Sequence, residues 1–259
     1  MSKVTYRSYL RLPELLALQT PRSAAHDELL FISIHQASEI WLKLCLHELR
    51  SARAHIAADA LRPAFKMMSR VARIQAQLIQ SWEVLATMTP ADYTAMRDGL
   101  GSGSGFQSDQ YRMLEFMLGN KRPEMIDVHV DEPPVAAMLR DELAAPSLYD
   151  EAILLLGRRG FDVPGARDWA GPRDADPRVE AAWRAVYAEA ERHWDLYELA
   201  EKLVDIEYYV QLWRFGHLKT VERVIGFKPG TGGTMGVAYL AKVLEHRFFP
   251  ELLSVRVQL

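Results

Sequence analysis

Three side chains and one loop could do chemistry in this sequence. His217 follows Gly216 inside the run Leu212-Trp213-Arg214-Phe215-Gly216-His217-Leu218. A glycine weakens a helix interior but removes a side chain where something flat and bulky approaches the backbone. The neighbouring imidazole can then meet that object with a ring nitrogen, and haem is one group of that shape. His35 lies four residues after Phe31, so both project from one helix face. Alone in an apolar stretch, such a histidine reads as a satisfied core residue. Arg97, four residues after Tyr93, can grip a carboxylate with its guanidinium fork or pair on the surface with Asp98. The loop Gly230-Thr231-Gly232-Gly233 offers backbone N–H groups and one hydroxyl, which suit a small polar ligand.

Other chemistries find no support. In His26-Asp27-Glu28 adjacent side chains diverge on a helix, so a helix start with acids favoured by the dipole is expected rather than a metal cluster. No histidine pair has metalloprotease spacing and no cysteines cluster, so a structural zinc is not expected. Gly101-Ser102-Gly103-Ser104-Gly105 follows a helix rather than a strand, and Gly230 to Gly236 lacks the lysine of a phosphate loop. A nucleophile elbow is also missing.

The elements that must position these residues have helical period almost throughout. Apolar residues recur from His26 to about Ile56 and from about Arg62 to Ala86. Thr89-Pro90-Ala91-Asp92 combines a capping hydroxyl, proline at the first helical position and an acid in the first turn. That helix should stop at Gly99 or Gly101, and another should run from Ser108 to Gly119-Asn120. Ile126 to Val130 alternates but is too isolated to found a sheet. Helices are expected over Pro134–Leu143, Pro146–Arg158 and about Met235–Arg247, with Gly160 to Pro177 irregular. The longest, Arg178 to Ile225, is read as one uninterrupted helix, long enough that part of it should serve subunit contact. The expected fold is an all-α helical bundle in one domain, residues 1–259.

Composition sets the surroundings. With 259 residues, 49% of them apolar, the chain can bury a sizeable core. Its single cysteine, Cys45, excludes an internal disulfide and fits a reducing compartment. A net charge of -3 with scattered basic residues gives no nucleic-acid footprint. The apolar runs look short, so neither a membrane span nor a secretory leader is expected, and the chain reads as cytoplasmic.

Nearly end to end, the sequence resembles the tryptophan 2,3-dioxygenase family. The matching blocks include Tyr6-Arg7-Ser8-Tyr9-Leu10, His26 to Ile32, His35 to Trp41, Tyr93 to Arg97, Ser104 to Ser108, Gln110-Tyr111-Arg112, Gln211 to Phe215, His217, Gly226-Phe227-Lys228 and Gly230 to Gly233. The resemblance implies haem b held between helices, with His217 as the iron ligand and Trp82, Ser104 and Gly105 beside the cofactor. It implies that His35 accepts the indole N–H of L-tryptophan or an indole derivative, and that Phe31 and Tyr93 line the pocket. Arg97 would pair with the substrate carboxylate and Thr231 would contact its amino-acid end. In a homotetramer, Tyr6, Tyr9 and Leu10 would cover a neighbour's pocket from the segment 1–25. The implied reaction adds O2 across the indole C2–C3 bond to give N-formylkynurenine. Four departures, Arg7, Met96, Pro229 and Thr234-Met235, leave two alternatives: mono-oxygenation of tryptophan or a β-methyltryptophan to a 2-oxindole, and a non-catalytic haem sensor.

Overall fold

The computed structural model describes residues 3–228 and 236–259. Among them the regular structure is helical, with no strand. Two short helices, α1 (Tyr6–Tyr9) and α2 (Leu12–Leu15), precede α3 (Glu28–Ala57), α4 (Leu61–Leu85) and α5 (Pro90–Leu100). Then come α6 (Asp109–Leu118), α7 (Pro133–Leu143), α8 (Leu148–Arg158) and α9 (Pro177–Ala188). The chain closes with α10 (Trp194–Val224), α11 (Val237–Glu245) and α12 (Pro250–Ser254).

Caps place the boundaries where the sequence announces them. Thr89 and Asp92 form a reciprocal capping box at the start of α5, with Pro90 at the first position, and Gly101 ends the helix at φ 56°. Ser108 accepts the Tyr111 N–H at 3.1 Å to open α6, which Gly119 closes at φ 112°. At α3 the helix starts where expected, with an acid, Glu28, in its first turn, but no side chain caps it. Asp27 occupies the capping position, and the buried Glu28 carboxylate accepts from Arg22 N, Ser23 N and Ser23 Oγ at 2.8, 2.7 and 2.6 Å. Glu28 therefore ties down the preceding segment rather than capping the helix.

Two expectations are corrected. The single helix read over Arg178 to Ile225 is two helices, α9 and α10, separated by a turn in which Arg192 N and His193 N both bond Glu189 O. Trp183, fully buried, fixes α9 against the chain's end, while α10 runs along α4. One straight rod could not satisfy both packings. The apolar run-length reading also needs amendment, because α3 is long and apolar enough to cross a membrane by length and composition alone. In this fold its C-terminal half buries Leu42, Cys45, Leu46, Leu49, Ala52 and Ile56 in the main core. The stretch 126–130 lies largely in a 3₁₀ turn, Pro123–His129.

The long helices α3, α4 and α10 span 30, 25 and 31 residues and pack side by side, α4 against both others. The main core joins them to α6–α9 and α12. Beside it, Leu85, Met88, Tyr93, Met96 and Val224 form a second small core. Between the two cores the helix faces stand apart and leave a cleft.

Candidate functional site: an aromatic cleft around His217

Helical spacing alone explains how α3 and α10 wall the cleft. Phe31, Ile34, His35, Ser38, Glu39 and Leu42 alternate steps of three and one along α3, which keeps them on one face. Trp213, Arg214, His217, Val221 and Val224 likewise share one face of α10. Trp82 and Leu85 of α4, Tyr93 of α5, the loop Gly103–Phe106 and Tyr239 of α11 complete it. The empty space amounts to about 1700 Å³, including the part open to solvent.

No described residue hydrogen-bonds a His217 ring nitrogen, and burial, reinforced by nearby His35, lowers its pKa to about 4. Its imidazole is therefore neutral at physiological pH with a lone pair uncommitted. Trp82 lies flat on it, ring centroids 4.7 Å apart and planes 4° apart, and Trp213 stands at 5.6 Å and 43°. The Trp82 Nε1 is buried without an acceptor. The clearance expected beside Gly216 also has an occupant: a Cβ there would lie 2.8 Å from Trp82 Cδ1. The flat object against that glycine is the chain's own indole.

His35 is equally well defined. Its Nδ1 lies 2.7 Å from the Phe31 carbonyl oxygen, which can only accept, so Nδ1 carries the proton. Burial lowers the pKa against the opposing pull of that hydrogen bond and of Glu39, which keeps the ring neutral. Nε2 is then an acceptor in the cleft, and the Phe31 ring lies 4.1 Å away, centroid to centroid. The expectation of a merely satisfied core histidine covers only one of its two nitrogens.

Other predicted residues divide clearly. Tyr93, buried, has its hydroxyl pKa raised by desolvation and lines the cleft, as do Phe31, Trp82, Ser104 and Gly105. Ser104 caps the short turn Gly105–Gln107 by accepting the Phe106 N–H at 3.3 Å. Arg97 is not among the described lining residues; its guanidinium carbon sits 5.8 Å from the Tyr93 ring centroid, at the cleft's edge. Tyr6, Tyr9 and Leu10 are exposed and do not reach this chain's own cleft. Thr231 lies outside the described residues, as do Pro229 and Thr234-Met235. Met96 points into the small core at 1% exposure, so this departure from the family pattern does not reshape the cleft wall.

One cluster went unread in the sequence. Glu115 is paired with Arg112 and, at 3.0 Å, with Arg214, whose Nε also donates to Tyr111 Oη at 3.3 Å. All four line the cleft, and both arginines and Glu115 are buried. With Glu39, which accepts from Gln110 at 2.8 Å, two carboxylates face these two guanidinium groups along the cleft. Arg112 and Glu115, three apart in the otherwise apolar Tyr111–Leu118 run, were the available signal.

No cluster of three or more possible metal ligands occurs among the described residues. A haem iron takes its equatorial ligands from the porphyrin and needs only an axial group from the protein. A neutral imidazole flanked by indoles in an apolar cleft fits that need. The fold and site thus define an all-α protein with an aromatic cleft around a neutral histidine. The sequence pattern of tryptophan 2,3-dioxygenase matches residues 1–138 and 178–259, and the chain belongs to that family. It is 64% identical to tryptophan 2,3-dioxygenase of Erythrobacter litoralis (strain HTCC2594), covering 98% of this chain and 97% of the relative. The corresponding protein of Bradyrhizobium sp. (strain BTAi1 / ATCC BAA-1182) is 56% identical, over 99% of this chain and 93% of its own. That of Bacillus thuringiensis (strain Al Hakam) is 54% identical with the same coverage.

Proposed function

We propose that this chain is a haem-dependent dioxygenase that adds O2 across the indole C2–C3 bond of L-tryptophan to give N-formylkynurenine. The observation that carries the reading is the pairing, in one cleft, of the uncommitted His217 imidazole with a neutral His35 whose free Nε2 can accept an indole N–H. Relatives at 54–64% identity bearing the dioxygenase name support it over the oxindole and sensor readings.

His217 would hold haem b, with Trp82, Trp213, Ser104 and Gly105 lining its site. Arg112 and Arg214 would offer guanidinium donors to the cofactor's carboxylates. When bound, haem supplies the iron at which O2 is activated. The chain's own residues bind and orient the substrate. Phe31 and Tyr93 offer aromatic surface to the indole ring, and His35 fixes its edge by accepting N–H. Arg97 and Thr231 would hold the carboxylate and amino end, so that the ring enters in one orientation. His35 acts by positioning, because indole N–H is too weak an acid for prior deprotonation to help.

A homotetramer is part of the same proposal. Tyr6, Tyr9 and Leu10 are exposed apolar residues with no use within their own chain, which suits a role over a neighbour's cleft. A cytoplasmic location, with one domain over residues 1–259, completes it.

Haem content tests the reading. His217→Ala should purify with little haem, and added imidazole should restore it. A variant with native haem content and an unchanged histidine-type spectrum would overturn the assignment.

A further inference from the structure

Histidines that ligate metals almost always donate their second ring nitrogen to a carboxylate or carbonyl, which fixes the plane of the ring. Among the described residues none hydrogen-bonds a ring nitrogen of His217, so its plane is set here by the side chains packed on it. The imidazole torsion is intrinsically broad, so something else must set it. The neighbour that shares its plane is Trp82, 4° from parallel at 4.7 Å. Trp82 is itself held by no polar contact, because its Nε1 is buried and unpartnered. Packing therefore fixes the indole. On one side lies the imidazole, and Trp213 leans on it at 5.4 Å and 46°. Gly216 bounds it on another, where an added Cβ would lie 2.8, 3.4 and 3.6 Å from Cδ1, Cγ and Nε1. The first distance is closer than a real Cβ tolerates, and the atom met is part of a rigid ring. Gly216 is thus a poor helix former kept in mid-helix where only a hydrogen atom fits.

We propose that Gly216 and Trp82 form a packing device that sets the plane of the His217 imidazole. Both are positioning residues. The inference rests on the proposed function insofar as His217 is an iron ligand; the stack itself does not. An alanine at 216 pushes the indole away from α10, the stack opens, and the ring is free to turn from the orientation that presents a nitrogen to the cleft.

The test is a double-mutant cycle of Gly216→Ala and Trp82→Leu, with circular dichroism confirming that each variant is folded. In the cofactor-free protein, the stacked indole should shift the His217 ring-proton NMR resonances upfield. Gly216→Ala should lose most of that shift, Trp82→Leu should lose it too, and the double variant should match Trp82→Leu. With ferric haem as the probe, Gly216→Ala should weaken binding by roughly 10- to 100-fold and alter the axial-imidazole spectrum. Adding Gly216→Ala to Trp82→Leu should change neither. Unchanged ring shifts in Gly216→Ala would overturn the device, and so would equal loss of haem affinity in both backgrounds, which would mean that the glycine acts on the helix or on haem directly. If native protein shows the ring shifts but binds no haem, the stack stands and the proposed function fails.

Discussion

Replacing His35 by alanine separates an orienting hydrogen bond from an obligatory base. The Phe31 carbonyl fixes the proton on Nδ1, so the native ring can only accept at Nε2. A neutral hydrogen bond of this kind contributes about 0.5–1.5 kcal/mol net, and its removal costs about 1–3 kcal/mol if the indole N–H is left buried and unsatisfied. Steady-state kinetics of His35→Ala with L-tryptophan should therefore show kcat/KM reduced roughly 5- to 150-fold, with haem content unchanged. The native pH profile provides an independent check. Protonation at Nε2 abolishes the acceptor, and burial places the pKa below the ordinary 6.5. The acid limb of native kcat/KM owed to His35 should therefore lie below the ordinary histidine range, and it should vanish in the alanine variant. Methylation of the indole nitrogen should cripple the native enzyme by clash with His35 and be partly tolerated by the smaller variant. A loss beyond about 10⁴-fold, with haem and substrate affinity intact, would mean that His35 transfers a proton and would refute the orienting role.

Arg97→Ala should weaken L-tryptophan binding by about 2–5 kcal/mol while leaving indole binding nearly unchanged, as equilibrium titration of the two ligands would show; equal losses would contradict the carboxylate clamp. Arg173→Ala tests stability away from the cleft. Glu251, 1% exposed, accepts from Arg173 at 2.5 Å, Asp176 N at 2.9 Å and Tyr149 Oη at 3.1 Å. Removing the guanidinium strands a buried carboxylate, so thermal unfolding should show about 3–5 kcal/mol of destabilisation, a Tm fall on the order of 10 °C.

Local chemistry made much of the fold readable. Thr89-Pro90, Ser108 and Gly119 mark helix ends by capping and by positive φ, and the structure obeys them within a residue or two. The break between α9 and α10 has no such mark, since Ala188 to Trp194 contains neither proline nor glycine. It arises from two incompatible packings, the fully buried Trp183 on one side and α4 on the other, which no local window contains. The cleft residues of α3 are legible as a helical face, but periodicity cannot distinguish a face that packs from one that stands open. Gly216 was legible as a point of close approach, not in the identity of what approaches. The role of His35 became specific only with its Phe31 partner, because the free nitrogen is defined by the occupied one. Arg112 and Glu115 carried no sequence signal beyond two charges in an apolar run, and their meaning depends on Arg214, about a hundred residues away.

The central claim, dioxygenation of tryptophan in the His35–His217 cleft, is tested most directly by mass spectrometry of the product formed from L-tryptophan under ¹⁸O2 by the reduced, haem-loaded protein. The account predicts a ring-opened product, N-formylkynurenine, carrying both labelled oxygen atoms. A single label on an intact 2-oxindole, or no turnover by protein with full haem content, would contradict it.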